Sequence, residues 1–334
     1  MGRKIRLSIL DQSQIRRGSN AREAILESVD LVKHADKLGY TRYWVSEHHN
    51  FTLLAGSTPE VLIAHLAGET ERIRLGSGGI MLPNHSALKV AENFRMLETI
   101  FPGRIDLGIG RAPGGDRYTA HVLNPSNEFD ERAFIQQIKD LRGFLNDSNE
   151  PGTVHEKIKA IPQAPTVPEL WMLSSSGGGS QLASYFGTAL SFAQFINPFG
   201  GPEAVERYRT NFKPSASLSE PYAQVGIFAF CSEDEQKVRR WQIEMDARIL
   251  NIEKGLTTPP PSYEEILQTE YTAAEQDRIL YNRDRMICGT PQQMKQKLQD
   301  LADRYDVDEI MVATICDQHE DRLKSFELLA GIEW

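Results

Sequence analysis

The apolar positions of this chain switch repeatedly between two periods. Ile5-Arg6-Leu7-Ser8-Ile9-Leu10 alternates and predicts a strand, whereas Ile25, Val29, Val32, Ala35 and Leu38 recur at steps of three or four within a helix over Ala21 to Leu38. Gly39 is placed to close that helix as a C-cap. Tyr43-Trp44-Val45 predicts a second strand, and Thr58-Pro59 an N-cap followed by proline at the first helical position. The same rhythm continues with strands at 73–82, 105–109, 170–173, 189–193, 224–230 and 309–315. Helical stretches follow at 87–101, 129–145, 203–212 and 320–329, with another beginning across 181–186.

Repeated strand–helix order predicts a parallel sheet, either an open doubly wound sheet or a closed (β/α)₈ TIM barrel. Eight strands favour the barrel, and so does the lack of a GxGxxG after the first strand. The whole chain, 1–334, then reads as one barrel domain. Residues 251–285 break the rhythm with Pro259-Pro260-Pro261 and many charges, and predict an insertion between strands seven and eight. Such an insertion is either a lid or a plain surface excursion.

Composition narrows the class. Hydrophobic residues at 40% and charged residues at 25% describe an ordinary globular chain with enough apolar material for a large core. The net charge of −9 gives no footprint for nucleic acid or an anionic membrane surface. The sequence holds no apolar run long enough to span a bilayer, and the N-terminus is too short in apolar residues for a secretion signal. Cys231, Cys288 and Cys316 are far apart and lack CxxC spacing, so a reducing cytoplasmic setting is expected, with no disulfide framework and no structural zinc.

In a barrel the site is built from residues just past the strand C-termini. Glu47-His48-His49 follows the second strand, and adjacent histidines on an extended segment face opposite ways, which disfavours a metal pair. His48 is then either a satisfied structural histidine or a general base. Gly78-Gly79 lies inside the third strand, where a bulge or a flat ligand needs the space. Ser174-Ser175-Ser176-Gly177-Gly178 after the fifth strand reads as an anion site made of backbone N–H groups and hydroxyls, with Arg111 one strand away supplying positive charge.

Trp44 to His49, Gly76 to Pro83, Gly103 to Arg111, the Leu173 to Gly179 loop and Gly289-Thr290-Pro291, in that order, resemble the bacterial luciferase-like flavin monooxygenases over nearly the whole chain. The resemblance implies a barrel that binds reduced FMN, or in some members coenzyme F420, at the strand C-termini. It makes Gly78–Gly79 a non-prolyl cis peptide supporting the isoalloxazine, and Arg111 with Ser175, Ser176 and the loop amides the flavin phosphate site. His48 matches the histidine that acts as base or stabilises the flavin peroxide, with Glu47 orienting the loop or the imidazole. Gly177-Gly178-Gly179 stands where many relatives carry hydroxyls or acids, so backbone donors have more to do. His85, Phe195 and Asn197 are candidates for the substrate end.

The resemblance therefore implies an FMN-dependent monooxygenase acting on a small organic molecule and O₂, fed by a flavin reductase, and a homodimer pairing through the helices that start at Pro59 and Ala87. The alternatives are F420-dependent hydride transfer on the same barrel, and a flavin-binding protein without catalysis.

Overall fold

The computed structural model describes residues 3–256 and 258–334. Its strands are β1 (Arg6–Asp11), β2 (Arg42–Val45), β3 (Arg74–Met81), β4 (Ile105–Gly110), β5 (Glu169–Ser174), β6 (Ala189–Ala193), β7 (Ala223–Cys231), β8 (Met286–Gly289) and β9 (Glu309–Ala313). The helices are α1 (Ala21–Leu38), α2 (Pro59–Gly68), α3 (Ala87–Ile100), α4 (Arg117–Leu123), α5 (Glu131–Leu145), α6 (Gly177–Phe186), α7 (Gly201–Thr210), α8 (Glu235–Glu253), α9 (Tyr263–Leu267), α10 (Ala273–Asn282), α11 (Pro291–Tyr305) and α12 (His319–Ala330). Among the described residues no helix is long and apolar enough to cross a membrane.

Strands β1 to β7 pair in sequence order, β7 pairs with β9, and β9 returns to β1, all in parallel. That closes the eight-stranded TIM barrel expected from the alternating pattern. β8 is the addition. It pairs only with the upper half of β7, Phe228 to Cys231, while β9 takes the lower half from Val225 to Phe228. Four residues, Met286-Ile287-Cys288-Gly289, are too few to display an alternation, which is why the sequence pattern misses the strand.

The segment between β7 and β8 opens with α8, ahead of most of residues 251–285. α8 already leaves the end of β7 and packs Trp241, Met245 and Ile249 into a cluster with Phe228 and Phe230, while the Trp241 indole donates to Ile315 O at 2.7 Å. Two smaller corrections have local causes. The helix expected from Phe129 starts at Glu131, because Phe129 has a positive φ of 55° and Asp130 caps the helix by accepting from Ala133 N. The helix expected near Gln181 starts at Gly177, so the three glycines form its first turn.

Alternation along the strands sorts side chains into two compartments. Ile9, Tyr43, Leu75, Leu107, Met172, Leu190, Val225 and Ile310 point outward under the helices. The other set fills the barrel, where Trp44 of β2 meets Trp171 of β5 edge-on at 5.2 Å. Beneath them the N-terminal ends of the strands carry charge. Arg42, 5% exposed, donates to Asp106 at 2.8 Å, Glu169 at 2.9 Å and Glu309 at 2.9 Å, and its guanidinium lies 4.6 Å over the Trp171 ring. Arg74 and the Trp44 indole also donate to Asp106, and Ser8 and Tyr222 to Glu309. Two fully buried carboxylates thus share one guanidinium, and the network closes the bottom of the barrel.

Removing that cation leaves Glu309 buried with its charge uncompensated and Asp106 with Arg74 alone. Arg42→Met is therefore expected to lower unfolding stability by about 3–5 kcal/mol. Urea denaturation checks this, and a loss below about 1 kcal/mol would show the network to be incidental.

Candidate functional site

Glycine recurs at inward-facing positions along the strands that lead to the C-terminal end of the barrel. Gly76 and Gly78 on β3, Gly108 and Gly110 on β4 and Gly226 on β7 occupy the positions that alternate with the outward-facing set. At Gly108 the need is steric, since a Cβ there would sit 2.2 Å from Ser77 O. The Gly78–Gly79 peptide is cis, and the β3–β4 register slips between Gly78 and Ile80. Both the cis peptide and the bulge expected there are present.

The segment after β2 stays extended, and its side chains alternate. Ser46 and His48 make one pair, with Ser46 Oγ 3.1 Å from His48 Nδ1. Glu47 and His49 make the other, with His49 Nε2 2.7 Å from Glu47 Oε1. The backbone is tied down on both sides, as His48 N donates to Gly56 O and His49 N to Gly114 O, each at 2.9 Å.

Glu47 is wholly buried. Its Oε1 also accepts from His85 Nε2 at 2.9 Å and from Asn84 Nδ2 at 3.4 Å, and its Oε2 accepts from Met81 N at 2.8 Å. The carboxylate therefore binds the end of β2 to the end of β3, next to the cis peptide. It does not touch the His48 ring: of the two roles expected for it, orienting the loop is the one its contacts fit. Burial pushes the Glu47 pKa up, but the hydrogen bond and charge of His85, the Met81 N–H and His49 outweigh burial and hold it below the usual carboxylate range. Burial also acts against charge on His85, yet the Glu47 hydrogen bond and charge prevail and raise its pKa.

His48 is in the opposite situation. Desolvation, only partly offset by the charge of Glu47, takes its pKa down to about 4. The ring is neutral at physiological pH. With Nδ1 against Ser46, its Nε2 has no partner among the described residues.

The loop after β5 is built around Ser174, whose hydroxyl donates to Ser176 O and accepts from Ser176 N at 3.2 Å. This turn delivers the chain into α6 with Ser176 at the N-cap, but no side chain caps the helix. The first-turn N–H groups of Gly177, Gly178 and Gly179 are therefore available to an anion. Asn197, expected at the substrate end, donates to Ser175 O at 2.9 Å and braces this loop. Arg111 follows β4 directly, is exposed, and makes no hydrogen bond or ion pair among the described residues. A second cation escaped the sequence reading. Arg207 of α7 comes so near that a Cβ on Gly177 would lie 3.4 Å from its Nη2. Nothing in the local sequence marks Arg207, because the packing of α7 on α6 brings it there.

Phe195 packs at 5.2 Å against Phe228, on the side of the mouth that α8 covers. Arg248 of α8 reaches the same rim. Its guanidinium lies 3.5 Å from Asp317 and, with the Gln14 amide oriented so that its oxygen faces the guanidinium, donates to that oxygen at 2.9 and 3.0 Å. The insertion touches the rim at two further points: Arg17 donates to Pro260 O, and Tyr281 packs on Phe199 at 4.8 Å. Among the described residues no cluster of His, Cys, Asp and Glu is arranged to hold a metal ion.

The family model for luciferase-like monooxygenases matches residues 5–307. A Bacillus subtilis protein, YwcH, is 46% identical over 97% of this chain and 98% of its own length. A luciferase-like monooxygenase of Escherichia coli is 36% identical over 98% of this chain and 97% of its own. Among solved structures, apo-MsnO8 superposes with a TM-score of 0.90 at 30% identity, covering 98% of this chain and 97% of that one. Two more distant structures share the fold: the oxygenating constituent of 3,6-diketocamphane monooxygenase from a Pseudomonas putida plasmid, in complex with FMN (TM-score 0.66, 17% identity, 98% of each chain), and an F420-dependent secondary alcohol dehydrogenase (0.67, 14%, 98% of each). By motif, fold and full-length similarity, the chain belongs to the luciferase-like monooxygenase family.

Proposed function

We propose that this protein is an FMN-dependent monooxygenase that uses reduced flavin and O₂ on a small organic substrate at the C-terminal mouth of the barrel. The observation that carries the cofactor half of this reading is the uncapped N-terminus of α6, with Arg207 beside Gly177 and Arg111 at the end of the neighbouring strand β4, neither paired with a carboxylate among the described residues. Ser174, Ser175, Ser176, Gly177 and Gly178 supply the donors that a flavin phosphate needs, and Arg111 and Arg207 the charge. A flat ring system would rest against the Gly78–Gly79 backbone, where the cis peptide and the slip in the β3–β4 register shape the end of the barrel. Reduced FMN, when bound, supplies the electrons that activate O₂.

The chain's own contribution is positional and protonic. Neutral His48, held through Nδ1 by Ser46, presents Nε2 to hold or move one proton at the reacting centre. Glu47 fixes the geometry of the mouth. α8 and the insertion lie over the β7–β9 side and help to exclude water, with Phe195 and Phe228 forming an apolar wall. A separate flavin reductase provides the reduced cofactor. The buried free thiols of Cys231, Cys288 and Cys316 support a cytoplasmic setting. A homodimer through α2 and α3 is supported by the exposed Val61, Met96 and Ile100 on those helices.

Three outcomes are expected. The purified protein binds FMN in preference to F420, and with reduced FMN it consumes oxygen in proportion to substrate across a panel of aldehydes, aromatics and sulfur compounds. Tighter binding of F420, or flavin binding without substrate-dependent uptake, contradicts the assignment and points to hydride transfer or to a non-catalytic flavin carrier.

Arg207→Gln is expected to weaken FMN about tenfold, the loss of one charge-assisted hydrogen bond of ~1.5 kcal/mol. Riboflavin, which lacks the phosphate, should bind both proteins alike in a fluorescence titration. An equal loss for riboflavin would place Arg207 elsewhere.

His48→Ala should lower turnover by two orders of magnitude or more, on the order of the 10²–10⁴ typical of a positioned acid–base group. Because its folded pKa lies below the ordinary 6.5, His48 favours the fold fully above pH 6.5 and loses that contribution as pH falls towards 4. The acid limb of activity set by His48 should then lie near pH 4–5. A limb at 6.5 that disappears in the variant would contradict the neutral, desolvated ring.

A further inference from the structure

We infer that Glu47, His49 and His85 form a single unit in which one oxygen of the ionised carboxylate accepts from both imidazoles and His85 carries the compensating proton, so that His85 presents a positively charged N–H to the mouth of the barrel. The geometry is specific. Glu47 has no exposed surface, and no lysine or arginine among the described residues lies within ion-pair distance of it. A fully buried carboxylate either takes up a proton or acquires a cation. Here the backbone N–H of Met81 and the amide of Asn84 hydrogen-bond to it, as suits the ionised form, and the groups able to carry the compensating charge are the two imidazoles that converge on Oε1, from 2.7 and 2.9 Å.

His85 is the better holder of that proton. Its Nε2 is fixed on Glu47, and its side chain is 26% exposed. Its Nδ1 has no partner among the described residues, so the second N–H of an imidazolium would point away from the carboxylate towards whatever occupies the mouth. Glu60 of α2 adds further negative charge on that side, and the other titratable neighbour of the unit, His48, is neutral. The backbone of His85 is itself held, as Gln137 and Asn124 donate to its carbonyl. The mouth thus carries two histidines of opposite character: neutral His48 beside Ser46, and cationic His85 beside Glu47. An anionic oxygen of a bound molecule is the group that His85 suits. This assignment concerns the protein alone and does not depend on which cofactor the barrel takes.

The test is a pH titration of the cofactor-free protein labelled with ¹³C at histidine Cε1. His48→Asn, His49→Asn and His85→Asn variants assign the three resonances. The His85 signal should titrate above 6.5, the direction in which a hydrogen-bonded carboxylate moves it. Glu47→Gln should bring it down. A wild-type His85 titrating at or below 6.5 overturns the inference, as does a Glu47→Gln variant that folds and leaves His85 unmoved. Should that variant fail to fold, the wild-type titration decides by itself.

Discussion

A carboxylate cut off from water must be met by donors, and at Glu47 four groups from three segments meet it. His49 comes from the extension of β2, Met81 N from the last residue of β3, and Asn84 with His85 from the turn that follows. Each donor fixes a different piece of the mouth. The Met81 contact anchors β3 just beyond the Gly78–Gly79 bulge, the histidine contacts set two ring orientations, and the alternation of the backbone then leaves His48 facing away from the carboxylate. Because an unsatisfied buried charge costs several kcal/mol, these positions are held together rather than one by one. The chemistry assigned to His48 therefore depends on a residue that never touches it.

The barrel around this hub is polarised from end to end. Its lower end is shut by the guanidinium of Arg42 between Asp106, Glu169 and Glu309, and its middle by the Trp44–Trp171 pair. Above the indoles the side chains shrink to glycine on β3, β4 and β7. At the other end lie the uncapped start of α6, Arg207 beside Gly177, and Arg111 at the end of β4, the groups proposed to hold an anion. The insertion after β7 contributes α8 and the short β8, which together roof one side of that end.

Much of this was legible in the sequence, for identifiable physical reasons. Strands with inward and outward sets, and helices with one apolar face, write their period into the chain, so eight barrel strands and helices such as α1 were placed within a residue or two. Glu47-His48-His49, Gly78-Gly79 and Ser174 to Gly178 were visible because each sits just past or within a strand, in a short contiguous motif. What escaped was whatever depends on packing between distant segments. β8 is too short to show a period, Arg207 reaches Gly177 only through the contact of α7 with α6, and the bond from Asn197 to Ser175 O spans two separate loops. The two roles expected for Glu47 could not be separated from sequence for the same reason: the rings that meet the carboxylate are His49, two residues on, and His85, on another strand's loop.

The central claim is that the top of this barrel is a flavin site whose phosphate rests on the start of α6. A crystal structure of the protein soaked with FMN tests it directly. The account predicts the phosphate at the backbone of Ser175 to Gly178 within reach of Arg111 and Arg207, and the ring system over Gly78–Gly79 on the His48 side. A phosphate bound elsewhere, or a flavin excluded from the barrel mouth, would contradict it.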